Sequence, residues 1–280
     1  MSTMSPWLNR AYRTLVRSQH LIIYGAVDDL VMYPGVGEAA AEFVSFADGL
    51  HGLLRTRGFS TVLWYDLADG LWSRSGVPDP RLATVVLDGA PRRDPLIPLP
   101  PPLTPGPGGL ADELRLAASD RRSGDTRPVN DVMPMIRAAM TQQQSPTVVV
   151  IDHADLLFGR IVEQPAGADV AHVLTALRLA ASEAVSVSTP AENVRNAIVL
   201  VSKELSDLPK TLTLRDLQFT AVNIESPEKG DRAAFLMSRR ASFWGDPSAA
   251  ELEKLAELCD GMSFRDLESL AVTSAKSRIA

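Results

Sequence analysis

The order of apolar and polar positions predicts helices alternating with strands, and then helices alone. Over residues 7–16, Leu8, Ala11, Tyr12 and Leu15 share one helical face while Arg10, Arg13 and Arg17 fall elsewhere, the three-and-four spacing of a short amphipathic helix. The apolar run 21–24 ends on Gly25 and reads as a buried strand. From residue 36 to 57, Ala40, Phe43, Val44, Phe46, Leu50, Leu53 and Leu54 recur at helical spacing, and Gly58 ends that helix. A second strand, 61–65, closes on Asp66, so strand, helix and strand follow one another as in a parallel βαβ unit.

The pattern then breaks. Ten of the 20 prolines lie between Pro78 and Pro107, where neither a ladder nor a helix can be supplied with donors, and an extended insertion is expected at about 76–125. Within its far end, 112–118 has helical spacing. Regular patterning returns with a helix at 129–142. The strongest strand of the chain follows at 147–151, apolar on both faces as a central parallel strand requires, and ends in Asp152. Residues 170–185 read as a helix with Val173, Leu174, Leu177, Leu179 and Ala180 inside. Strands at 196–201 and 219–224 come next, and past Pro227 three helices are predicted at 229–239, 249–258 and 264–277. The expected fold is α/β: a parallel-sheet core over 1–226, then a small all-α lid over 227–280.

Composition narrows the function classes. The chain has 280 residues, 45% of them hydrophobic and 22% charged, enough to bury a core without disulfides or metal. One cysteine, Cys259, excludes an internal disulfide framework, and the four histidines have no zinc-ligand spacing. A net charge of −6 argues against a surface built for phosphates, and Arg121, Arg122, Arg127, Arg239 and Arg240 come in scattered groups that no aromatic platform accompanies. No apolar run is long enough to span a bilayer, and Pro6, Asn9 and Arg10 break up any leader-like stretch, so a cytoplasmic protein is expected.

Three places carry candidate chemistry. Asp152 stands at the C-terminal end of the central strand, where open α/β sheets bind ligands; such an aspartate can hold a magnesium-bound water, with His153 next to it as a conditional base. An equally cheap role for Asp152 is to cap the following helix. The turn after the first strand, Gly25-Ala26-Val27-Asp28-Asp29-Leu30, has the place of a phosphate loop but one glycine, no lysine, no hydroxyl and two carboxylates. The strand 196–201 runs into Ser202, Lys203 and Glu204, where a polar side chain could position a water against a phosphate or simply face solvent.

The order of these pieces resembles the AAA+ ATPase superfamily, in its classical clade. The resemblance runs from the first strand with Gly25, through the strand ending in Asp152, the 197–209 segment with its trailing Leu208-Pro209, Leu214-Arg215 ahead of Phe219, and Pro227 with Arg232. It ends in Cys259-Asp260-Gly261-Met262-Ser263-Phe264-Arg265-Asp266-Leu267, similar to the start of that family's last lid helix. The Gly25–Leu30 stretch resembles degenerate N-terminal modules of bacterial AAA+ proteins, in which a second, intact ATPase module follows. The resemblance implies ATP or ADP with Mg²⁺ as cofactors. It implies contacts from Gly25, Ala26, Val27, Asp28 and Arg265, a metal-holding Asp152, His153 at the place of the catalytic glutamate, Ser202 or Lys203 at that of the water positioner, and Arg215 at that of the trans-acting finger. With lysine, hydroxyl and glutamate all replaced, the expected function is an assembly and coupling module of a protein-remodelling or unfolding machine that does not hydrolyse ATP. It would work as a homo-oligomer or beside an AAA+ partner module, on a protein client. An ATPase with an atypical phosphate site and a clamp-loader-like DNA scaffold are the alternatives.

Overall fold

The computed structural model describes residues 5–17, 19–34, 42–68, 70–73, 129–163, 167–213 and 218–276. The proline-rich insertion expected at about 76–125, the helix at 112–118, Arg121, Arg122, Arg127 and the pair Leu214-Arg215 lie outside the described residues. In chain order the elements are α1 (Pro6–Val16), β1 (His20–Gly25), β2 (Leu30–Tyr33), β3 (Glu42–Ser45), α2 (Phe46–Thr56), β4 (Thr61–Asp66), β5 (Gly70–Ser73), α3 (Val129–Thr141), β6 (Thr147–Ile151), α4 (Ala154–Glu163), α5 (Gly167–Ser182), β7 (Ser186–Ser188), β8 (Asn193–Arg195), β9 (Ala197–Ser202), α6 (Lys210–Thr213), β10 (Phe219–Ile224), α7 (Lys229–Ser238), α8 (Ala249–Leu258) and α9 (Phe264–Lys276). They divide into two compact units, one of residues 1–57 with 201–280 and one of residues 58–200.

In the first unit β1 and β10 pair in parallel, His20 opposite Phe219 through Gly25 opposite Ile224. Leu21, Ile22 and Ile23 are wholly buried there, as an apolar run in a covered strand should be. Helix α1 buries Trp7, Leu8, Ala11 and Leu15 and leaves Arg10 and Arg13 exposed, the face its periodicity predicts. The single helix expected over 36–57 is not what forms. Residues 42–45 are a strand, antiparallel to β2, and the helix begins only at Phe46. Ser45 makes the difference: its Oγ accepts from the Asp48 N–H at 3.1 Å and starts α2 there, while the β-favouring pair Phe43-Val44 stays extended.

The C-terminal helices α7, α8 and α9 enclose their own core of Phe235, Leu236, Leu252, Ala256 and Leu267, closed by Cys259 and Phe264. Arg232 is buried among them, its guanidinium donating to the carbonyls of Pro227 and Ala256 and to Asp260. This is the small all-α region expected at the end of the chain.

In the second unit β4 pairs in parallel with β6, and β6 with the first residues of β9. Val148 to Ile151 are fully buried, as predicted. The sheet is mixed rather than all parallel, because β5 folds back antiparallel on β4. Its anchor is Trp72, stacked on Trp64 with ring centroids 5.7 Å apart and donating from Nε1 to Asp66 at 3.2 Å. Trp64, Trp72 and Phe158 are core residues here, and Leu179, placed inside by periodicity, is instead 42% exposed.

Candidate functional site

Gly25 ends β1 with φ +102°, and a Cβ built there would stand 2.3 Å from the Ile224 carbonyl oxygen. Only glycine fits so close to β10 in that backbone conformation. The turn that follows directs its backbone N–H groups inward. Gly25 donates to the Lys203 carbonyl at 3.0 Å, Ala26 to that of Ile224 at 3.1 Å, Val27 to that of Gly25 at 2.7 Å and Asp29 to that of Ala26 at 3.3 Å. Leu30 N–H donates to the Asp29 carboxylate at 2.8 Å. A phosphate-cradling loop needs such groups convergent and available to oxygen; five of the six in this turn already have acceptors in the chain.

Two cations reach the turn from far along the sequence. Lys203, just past β9, places Nζ 2.6 Å from the Asp28 carboxylate, with both side chains more than half exposed. Arg265, in the first turn of α9, donates from Nε to the Asp28 carbonyl. Asp29 is buried, and its two carboxylate oxygens accept from the N–H groups of Phe264 at 2.8 Å and Arg265 at 2.9 Å. A cavity of about 60 Å³ adjoins the turn, lined by residues including Trp7, Ala26, Asp29, Ile224, Asp231 and Phe264. Pockets for drug-sized ligands hold roughly 300–1,000 Å³.

Asp152 and His153 belong to the other unit. Asp152 follows β6, its N–H donating to the Tyr65 carbonyl at 2.8 Å and its Oδ1 accepting from the His153 N–H at 3.0 Å. His153 is exposed, takes the left-handed conformation at φ 50°, and turns its carbonyl to accept from Leu156 at 3.0 Å and Leu157 at 3.3 Å. It is thus the backbone of His153 that starts α4. Among the described residues, no three His, Cys, Asp or Glu side chains gather as metal ligands.

Residues 2–225 match the model of the family described as "AAA+ chaperone, N-terminal Rossmann-like domain". The chain belongs to this family. Solved structures similar to this AAA+ domain include the FIGL-1 AAA domain in complex with ADP, at 17% identity and TM-score 0.37, covering 52% of this chain and 46% of that one. Another is a chain of the E. coli MS115-1 HORMA:CdnC:Trip13 complex, at 19% identity and TM-score 0.37, covering 51% of this chain and 50% of that one. The AAA+ domain therefore spans about half the length of the solved chains it resembles. No curated protein matches it.

Of the positions that sequence reasoning selected in this AAA+ domain, Gly25, Ala26, Val27, Asp28 and Arg265 come together at one turn. Ser202 is buried at the end of β9, and its hydroxyl donates to the Glu204 carbonyl at 2.8 Å. Sequence reasoning missed Lys203 as a partner of the turn and Asp29 as the acceptor of two helix N–H groups. The only signal for the latter was the pair of carboxylates, Asp28 and Asp29, between the apolar strand and Leu30.

Proposed function

We propose that this AAA+ domain does not hydrolyse ATP and serves as an assembly and coupling module beside an active partner module in a protein-remodelling machine. One observation carries the reading: the turn in the place of a phosphate loop has five of its six backbone donors satisfied by the chain, and its two carboxylates are engaged by Lys203 and by the first N–H groups of α9. Two carboxylates there repel a polyanion at close range, and the adjoining cavity of about 60 Å³ is far too small for a nucleotide. The family description, an N-terminal domain of AAA+ chaperones, supports the chaperone setting and the presence of further modules in the working assembly.

Calorimetry of the purified chain with Mg-ATP and Mg-ADP, beside an Asp152→Ala variant, tests this. The expected result is no binding tighter than millimolar for either protein. Micromolar binding that Asp152→Ala abolishes would overturn the reading.

An active ATPase is the second reading, and Lys203 is the observation in its favour, since it brings to the turn the cation that the loop itself lacks. In that case Asp28 must release Lys203 to a phosphate, and the calorimetry above separates the two. The DNA-scaffold reading loses support from Arg239 and Arg240, which pair with Glu268 and Asp246 within the chain. No helix among the described residues is long and apolar enough to cross a membrane. The domain's place of action is proposed to be the cytoplasm.

A further inference from the structure

The first four N–H groups of a helix have no acceptor within it. In α9 all four are nevertheless satisfied. Ser263 donates to Asp266 Oδ2 at 3.0 Å and Asp266 donates back to Ser263 Oγ at 3.1 Å, a reciprocal capping box. The two groups between them, on Phe264 and Arg265, go to the two oxygens of Asp29, more than 200 residues earlier. The same carboxylate takes the Leu30 N–H, so it accepts three backbone bonds and is buried. A second set of contacts binds the same partners. Phe43 of β3 packs edge-on against Phe235 at 4.8 Å and Phe264 at 5.0 Å between ring centroids, and Leu30 packs against the same helical core. Arg265 adds its bond to the Asp28 carbonyl.

We infer that Asp29 is a built-in anion that clamps the C-terminal helices to the β1 turn and the β2–β3 hairpin, so that they hold one arrangement with no ligand bound. The N-terminus of a helix attracts negative charge, because bare N–H groups and the aligned peptide dipoles both favour it. A ligand phosphate arriving there would find the place taken by a carboxylate. The Phe43 cluster and Leu30 then hold the helices from the apolar side. In a domain whose helices followed nucleotide state, the anion would have to come and go; here it is covalently part of the chain. The inference extends the non-hydrolysing reading and rests on it for its consequence, a rigid coupling element, while the clamp itself is tested separately.

Amide hydrogen exchange on the full chain without ligand is the test. In the native chain the Phe264 and Arg265 amides should exchange as slowly as those in the middle of α9. First-turn amides without an acceptor lack that protection. Asp29→Asn keeps the size and removes one accepting oxygen and the charge; it should speed exchange at these two amides by about tenfold or more, leaving β6 unchanged. Fast exchange at Phe264 and Arg265 in the native chain, or equal rates in the native and Asp29→Asn chains, would overturn the clamp. Where Asp29→Asn does not fold, the native-chain rates decide alone. Repeating the native measurement with millimolar Mg-ATP separates the two proposals. Calorimetric binding with α9 unchanged overturns the non-binding reading and supports the clamp, whereas binding with α9 released overturns both.

Discussion

Asn196 is wholly buried between a helix end and a strand start, and its side chain serves both. Oδ1 accepts from the Thr147 N–H at 2.8 Å, while Nδ2 donates to the carbonyls of Met140 and Gln142 at 2.9 Å, at the end of α3. Those carbonyls belong to the set that a helix C-terminus leaves without partners. Asn196→Ala would strand the Thr147 N–H and the Gln142 carbonyl, while the Met140 carbonyl keeps its bond from the Val185 N–H at 3.1 Å. We expect a loss of about 3 kcal/mol in denaturant unfolding, since each unsatisfied buried polar group costs roughly 1–3 kcal/mol. A loss below about 1 kcal/mol would mean that water or a shifted α3 end replaces the amide. From sequence Asn196 was only the first residue of a strand. Its acceptors lie more than 50 residues earlier, and no local pattern marks them.

Helix α2 illustrates what periodicity reads correctly and where it stops. Leu50, Leu53 and Leu54 are buried as their spacing predicts, but the four residues before Phe46 form β3 instead of a longer helix. Phe43 and Val44 satisfy a helical pattern and a strand pattern equally well; pairing with β2 and packing on Phe235 and Phe264 decides for the strand. The same contact explains a glycine inside α2. A Cβ at Gly49 would stand 2.7 Å from Val31 Cγ2, and Val31 is buried, so β2 lies against the helix only because that side chain is missing. Gly49→Ala gains about 1 kcal/mol of helix propensity but incurs about 1–3 kcal/mol of overpacking, and should lower thermal stability on balance. Gly230, in the first turn of α7, has nothing within 4 Å of its Cβ position, so Gly230→Ala should raise stability by about 0.5–1 kcal/mol. Thermal melts of the two variants should move in opposite directions; a rise for both would show that the hairpin yields to α2.

For the whole chain, alkaline pH should be where stability is lost, with Tyr65 as a leading contributor beside the Cys259 thiol, which burial also pushes up. Tyr65 of β4 is 1% exposed, and burial, helped by the neighbouring charge of Asp66, pushes its phenol from 10.0 up to about 12. The unfolded chain releases that proton near pH 10, whereas the native chain holds it to about pH 12. The contribution is therefore complete below pH 10 and falls as pH rises through that interval. Unfolding free energy measured across it should decline, and the decline should shrink in Tyr65→Phe; equal slopes in both chains would place the titrating group elsewhere. In the acid direction Asp266, held below the usual carboxylate range by its hydrogen bonds to Ser263, loses its capping role only as pH falls beneath that range.

What the sequence by itself determined is the content of the elements. The runs Leu21–Ile23, Val148–Ile151 and Ile198–Val201 are apolar enough that burial is their only stable state, and the order of strands and helices with a helical end follows from local periodicity. The turn from Gly25 to Leu30 could be located, and its want of lysine and hydroxyl counted, because those are local properties of six residues. The tertiary structure alone decided what the turn does with its charges. Lys203 meets Asp28, and Asp29 meets Phe264 and Arg265, through contacts spanning most of the chain. Such pairings depend on which strand ends and helix ends the fold brings into register. Composition cannot choose among 34 acidic and 28 basic residues which carboxylate will be buried under a helix terminus. Only packing does, by making every other place for that carboxylate, and every other acceptor for those two N–H groups, costlier.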